Sequence, residues 1–114
     1  MRLLPEILGE RAQGGRVELE LRVPEDLACF AGHFPGLPIL PGVVQVDWSV
    51  KLGRERLGLA GEFAAAENLK FLSIVRPGAH LTLALELLDT ARLRFGYSSR
   101  SRKYSSGTLV FAPS

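Results

Sequence analysis

A chain of 114 residues, 46% hydrophobic and 23% charged, has ordinary globular composition and length enough for a single core. Its net charge of +2 is too small to imply nucleic acid, and its lone cysteine, Cys29, excludes an internal disulfide or a multi-cysteine metal site. No stretch approaches the roughly 18 apolar residues of a membrane span, and Pro5 and Glu6 break the short N-terminal apolar run, so no signal peptide is read. The expectation is one soluble, cytoplasmic domain over residues 1–114, without nucleic-acid or membrane partners.

In chain order, Leu3 to Leu8 predicts one or two helical turns, with Pro5 tolerated near the start, and Gln13-Gly14-Gly15 predicts a turn. Residues 16–23 alternate without a fault, which predicts a strand with Val17, Leu19, Leu21 and Val23 facing inward until Pro24 ends it. Residues 24–42 hold four prolines and three glycines yet keep Phe30, Phe34, Leu37, Ile39 and Leu40. Such a stretch is a packed, rigid loop that can fix a side chain, and His33 lies within it. Pro41 suits the first turn of a helix running from Gly42 to about Leu57. Val43, Val44, Val46, Trp48, Val50 and Leu52 predict that this helix is buried nearly all round, with Lys51, Arg54, Glu55 and Arg56 reaching solvent at the far end. Asp47 is the one acid within the apolar part.

Residues 62–75 mix alanines with an alternating run and read as a strand up to Arg76-Pro77-Gly78. His80 to Leu88 is the next strand, Leu93, Phe95 and Tyr97 mark a third, and Ser105-Ser106-Gly107 leads into a last strand from Thr108 to Phe111. Arg92, Arg94, Arg100, Arg102 and Lys103 crowd this region, either as solvated strand faces or as a landing site for an acidic partner. One helix among antiparallel strands predicts an α+β fold, a curved antiparallel sheet wrapped around one long central helix. Such a sheet has unprotected edges, so edge-to-edge pairing of two copies is expected.

The segment Gly32-His33-Phe34-Pro35-Gly36-Leu37-Pro38-Ile39-Leu40-Pro41-Gly42-Val43 resembles the 3-hydroxyacyl-[acyl-carrier-protein] dehydratases. These carry Gly-His-Phe-Pro and then Pro-Gly into a helix bearing a catalytic Asp or Glu. Pro24-Glu25-Asp26 with Phe30, Leu69-Lys70-Phe71, Arg76-Pro77-Gly78 and Ser106-Gly107 are similar to further family marks. Val-Gln-Val-Asp-Trp in the helix looks most like a small subgroup linked to aryl polyene or other unusual fatty acid synthesis. The resemblance implies the hot-dog fold and a homodimer, or dimer of dimers, with sites at the interface. It implies His33 as the catalytic base of one subunit, Asp47 as the acid of the other, and the Gly42 N–H as donor to the thioester carbonyl. Many family members have a glutamine where this chain has Lys51.

That chemistry suits these residue types. Dehydration takes a proton from C2 and expels hydroxide from C3; a histidine accepts protons near neutral pH, and a carboxyl kept neutral by an apolar helix can protonate the leaving group. Free N–H groups at a helix start stabilise the developing enolate, with Gly42 leaving room for the thioester. Phe34, Val43, Val46 and Val50 would line the acyl tunnel. The reaction calls for no metal and no organic cofactor. Two alternatives stand beside it: a thioesterase on the same fold, and a non-catalytic module that binds acyl groups or carrier protein. Cys29 reads as a small buried residue rather than a nucleophile, His80 as surface or packing, and Trp48 as core.

Overall fold

The computed structural model describes residues 2–30 and 38–113. Its elements are β1 (Glu6–Gln13), β2 (Arg16–Arg22), α1 (Gly42–Leu57), β3 (Phe63–Phe71), β4 (His80–Asp89), β5 (Arg92–Ser98) and β6 (Lys103–Phe111), with a short 3-10 turn at Ala28–Phe30. The strands form one six-stranded sheet in the order β1-β2-β4-β5-β6-β3, antiparallel throughout. This is the expected α+β arrangement of one sheet around one long helix.

Period-two alternation explains which face of the sheet is covered. Val17 pairs with Leu85, which pairs with Phe95, which pairs with Gly107; the next row is Leu19, Leu83, Tyr97 and Ser105. All eight are buried, and the rows run across four strands beneath the helix. Leu21, Leu81, Leu93, Leu109 and Phe111 extend the same layer. The helix answers with Gln45, Trp48, Ser49, Leu52 and Gly53, a single i, i+3, i+4, i+7, i+8 face. It begins after Pro41, whose extended backbone stops it from reaching further back, and ends at Gly58 in the left-handed conformation, φ 65°.

Four expectations need correction. Residues 6–13 are a strand, not helical turns: Gly14-Gly15 folds them back onto β2 with Gln13 opposite Arg16. A register shift between Ile7 and Gly9 hides the alternation that would have shown this. The last strand begins at Lys103 rather than Thr108, and Ser105-Ser106-Gly107 lies inside it. Strand β3 stops at Phe71, after which Leu72 and Ser73 donate backbone hydrogen bonds to Tyr104. Finally, the helix is not buried all round. Val43 is 75% exposed, and Asp47, Lys51, Arg54 and Glu55 are exposed with it, forming one stripe that no element of the chain covers among the described residues.

Among the described residues the edge strands β1 and β3 each pair on one side only. Every residue of β3 is exposed, and Phe63, Leu69 and Phe71 are among them; Leu72 and Ile74 just beyond are exposed too.

Candidate functional site

Of the expected site residues, Gly42, Val43, Val46 and Asp47 lie in the first turns of α1. Val44 and Gln45 N–H both reach the Pro41 carbonyl, at 3.1 and 3.2 Å. The Gly42 and Val43 N–H groups precede them and have no backbone acceptor among the described residues, as the first turn of any helix requires. Asp47 stands on the open stripe just over one turn further on. Its Oδ2 lies 2.9 Å from Lys51 Nζ, and each side chain is 51% exposed. The expected enclosure of this acid by apolar side chains is therefore absent among the described residues. The physical reason is phase: Val43, Asp47 and Lys51 share the face opposite Gln45 and Ser49, so the apolar residues lie on either side of the carboxylate rather than around it. Val46 and Val50 are half-buried on its flank.

Gly42 has a steric task within the chain. A Cβ there would come within 2.7 Å of Cζ of Phe71, so the ring occupies the space above the glycine that the sequence reading left for a thioester. Phe71 is itself half exposed and sits at the end of the open strand. Val43, Phe71, Leu72 and Ile74 thus leave apolar surface exposed near the helix start. His33 and Phe34 lie outside the described residues.

Beneath the helix is a polar cluster that sequence reading missed. Gln45 Nε2 donates to the Leu40 carbonyl at 3.2 Å, and Ser105 Oγ donates to Gln45 Oε1 at 2.6 Å. Tyr97 Oη donates to the Gln45 carbonyl at 2.7 Å, and Ser49 Oγ lies 2.9 Å from the same carbonyl and 3.1 Å from Tyr97 Oη. Gln45, Ser49, Tyr97 and Ser105 are all buried. Burial pushes the Tyr97 phenol well above its ordinary range; the Ser49 hydrogen bond opposes this and the negative charge of Asp47 adds to it. The cluster ties the helix, the end of the loop before it and two strands together, and so fixes where Asp47 stands. Its signal was available: Gln45 and Ser49 are polar at i, i+4 in an apolar helix, and Ser105 is in phase with Leu109 and Phe111.

The other candidates fall where expected. Trp48 is fully buried, with Nε1 donating to the Leu3 carbonyl at 2.9 Å. His80 is exposed at the start of β4, and burial pushes the Cys29 thiol up, away from the thiolate a nucleophile needs. Of the C-terminal cations, Arg92 pairs with Asp89 and Arg94 with Glu86, the behaviour of a solvated sheet face. A groove of about 510 Å³ lies on that outer face among Glu86, Arg94, Gly96 and Lys70, on the opposite side of the sheet from Asp47. No cluster of potential metal-ligating residues occurs among the described residues, and no helix there is long and apolar enough to cross a membrane.

A six-stranded antiparallel sheet curved around a single central helix defines a hot-dog protein, and comparison with solved structures agrees. The dehydratase heterocomplex ApeI:P from Xenorhabdus doucetiae superposes with a TM-score of 0.87 at 27% identity, covering 96% of this chain and 98% of that one. An uncharacterized protein from Erwinia carotovora subsp. atroseptica gives 0.84 at 35% identity, over 96% and 97% of the two chains. A hypothetical thioesterase with coenzyme A from Streptococcus pneumoniae, at 0.62 and 15% identity over 95% and 85% of the chains, shares the fold alone.

Residues 9–108 match the ApeI-like family, ApeI dehydratase, and the chain belongs to that family. Among curated relatives it is 46% identical over 90 residues to the 3-hydroxyacyl-[acyl-carrier-protein] dehydratase FabZ of Novosphingobium aromaticivorans, a match covering 71% of this chain and 52% of that protein. FabZ of Erythrobacter litoralis is 42% identical over 82 residues, covering 64% and 54%. The chain thus spans about half the length of these relatives.

Proposed function

We propose that this chain dehydrates a 3-hydroxyacyl thioester, carried on acyl carrier protein, to the trans-2-enoyl thioester. The carrying observation is that Asp47, the one acid in the apolar part of the helix, stands on the helix face left open beside the helix start, in a chain of a dehydratase family. His33 takes the proton from C2. Asp47 gives a proton to the C3 hydroxyl as the C–O bond breaks, water departs, and the C2–C3 double bond forms. The Gly42 N–H holds the thioester oxygen as negative charge develops on it, and Phe34, Val43 and Val46 border the acyl chain.

The site is completed by a second copy of the chain. Every residue of the edge strand β3 is exposed, and Val43, Phe71, Leu72 and Ile74 leave apolar surface beside it. A strand edge with free backbone groups beside apolar side chains favours strand-to-strand pairing. Pairing would cover the Asp47 stripe and supply the enclosure that the single chain lacks, with His33 arriving from the partner. Assembly can go on to a dimer of dimers. A different hot-dog chain is the alternative partner, because the ApeI:P structure is a heterocomplex. The whole chain acts as one hot-dog domain in the cytoplasm.

Mass spectrometry of a 3-hydroxyacyl thioester incubated with the protein tests the reaction. Loss of one water with the thioester intact is the expected product. Release of the free acid would identify a thioesterase, and an unchanged substrate would leave a binding module.

A further inference from the structure

We propose that Lys51 is a positioning residue for Asp47, holding one oxygen of the carboxyl group so that the other, which carries the proton, is presented to the substrate; this rests on the dehydratase reading above. The ammonium lies 2.9 Å from Oδ2, hydrogen-bonding distance, so Oδ2 is engaged along the helix and Oδ1 is the oxygen left to meet the C3 hydroxyl. The pair is i, i+4 with the acid nearer the helix N-terminus, the orientation in which such a pair is favoured.

An exposed pair of this kind is ordinary on a solvated helix, and its location gives it consequence here. The stripe that carries it also carries Val43 and stands near Phe71, Leu72 and Ile74, an apolar surroundings that a second chain would cover. As the acid of the reaction Asp47 gives up a proton from Oδ1, and the Lys51 charge beside Oδ2 stabilises the carboxylate that is left. Arg54, the next cation along the stripe, cannot replace Lys51: its guanidinium sits 5.4 Å from the centre of the Phe111 ring, turned toward the sheet. Among the described residues Lys51 is the salt-bridge partner of Asp47, and the buried Tyr97 phenol on β5 feels the charge of Asp47. Lys51 is the one of them that touches the carboxylate.

The test compares wild type with Lys51→Met, which keeps the length and apolar stem, and Lys51→Arg, which keeps the charge. Steady-state dehydration of a 3-hydroxyacyl thioester is measured at one pH, with thermal unfolding and sedimentation of each variant. Lys51→Met is expected to lower kcat about tenfold or more with KM within about twofold, because a displaced acid slows the chemical step rather than binding. Lys51→Arg is expected to recover most of that loss. Equal kcat in wild type and Lys51→Met, both folded and assembled alike, overturns the proposal, as does an Arg variant no better than Met. A wild type that does not dehydrate the substrate overturns the dehydratase reading itself, and the role of Lys51 with it.

Discussion

Ser105 on β6 donates a hydrogen bond to the side-chain oxygen of Gln45 on α1, 2.6 Å away and out of reach of water. It is the contact through which the far strand of the core holds the helix at one rotation. The other end of the same amide holds the Leu40 carbonyl, so one side chain sets both the helix and the loop that leads into it. Gln45→Leu removes both bonds and leaves a hydroxyl and a carbonyl buried without partners, at a cost of at least about 2 kcal/mol in chemical denaturation. Ser105→Ala removes one of them and should cost less.

Tyr97 makes stability fall at high pH. Burial favours the neutral phenol in the folded state, while an unfolded tyrosine ionises near pH ~10. Below that pH both states are neutral and the contribution is complete; above it the unfolded state loses the proton first, and stability declines with rising pH. Thermal melts between pH 8 and 11 should show a steeper loss for wild type than for Tyr97→Phe, although the variant starts lower because the Gln45 carbonyl has lost a donor. Parallel curves would contradict this.

Gly53 lies in the middle of α1, where alanine would ordinarily be the better helix former. A Cβ there would be 2.6 Å from Cδ2 of Leu93, a fully buried side chain with little freedom to yield. Gly53→Ala should therefore destabilise the fold by about 1–3 kcal/mol. Shortening the neighbour in Gly53→Ala/Leu93→Val should recover part of that loss relative to the two single variants added together, as a double-mutant cycle would show.

The open edge of β3 predicts association. Wild type should sediment as a pair of chains or a multiple of pairs. Placing lysines at Ala64 and Ala66, both exposed on β3, should give single chains with unchanged far-ultraviolet circular dichroism. A wild type that stays monomeric at every concentration would remove the enclosed site from the account.

Much of this was legible in the sequence where a periodicity ran unbroken. Val17 to Val23 and Leu81 to Leu87 alternate cleanly, and Pro41 and Gly58 bracket the helix. The failures came from local chemistry that tertiary contacts override. Ile7 and Leu8 are adjacent apolar residues that mimic a helical turn, but a register shift lets them sit in a strand. Ser105-Ser106-Gly107 carries turn residues, yet Gly107 is small because Leu69 and Phe95 press on it from both sides. The helix was read by counting apolar residues rather than by their phase, so the exposure of Val43 and Asp47 was missed. The motif around His33 was the most specific signal in the chain, and it lies outside the described residues.

The measurement that bears most directly on the shared dehydratase site uses two inactive proteins. His33→Ala and Asp47→Ala should each lose dehydration by ~10²-fold or more. Asp47→Ala should melt little below wild type on account of the lost side chain, since the exposed Asp47–Lys51 pair contributes at most about 1 kcal/mol. Mixed in equal amounts and allowed to exchange subunits, half the dimers become mixed, and each mixed dimer holds one intact His33–Asp47 pair across its interface. The account predicts that the mixture regains about a quarter of the wild-type rate. A mixture as inactive as its two components, with exchange verified by mass spectrometry, would contradict it.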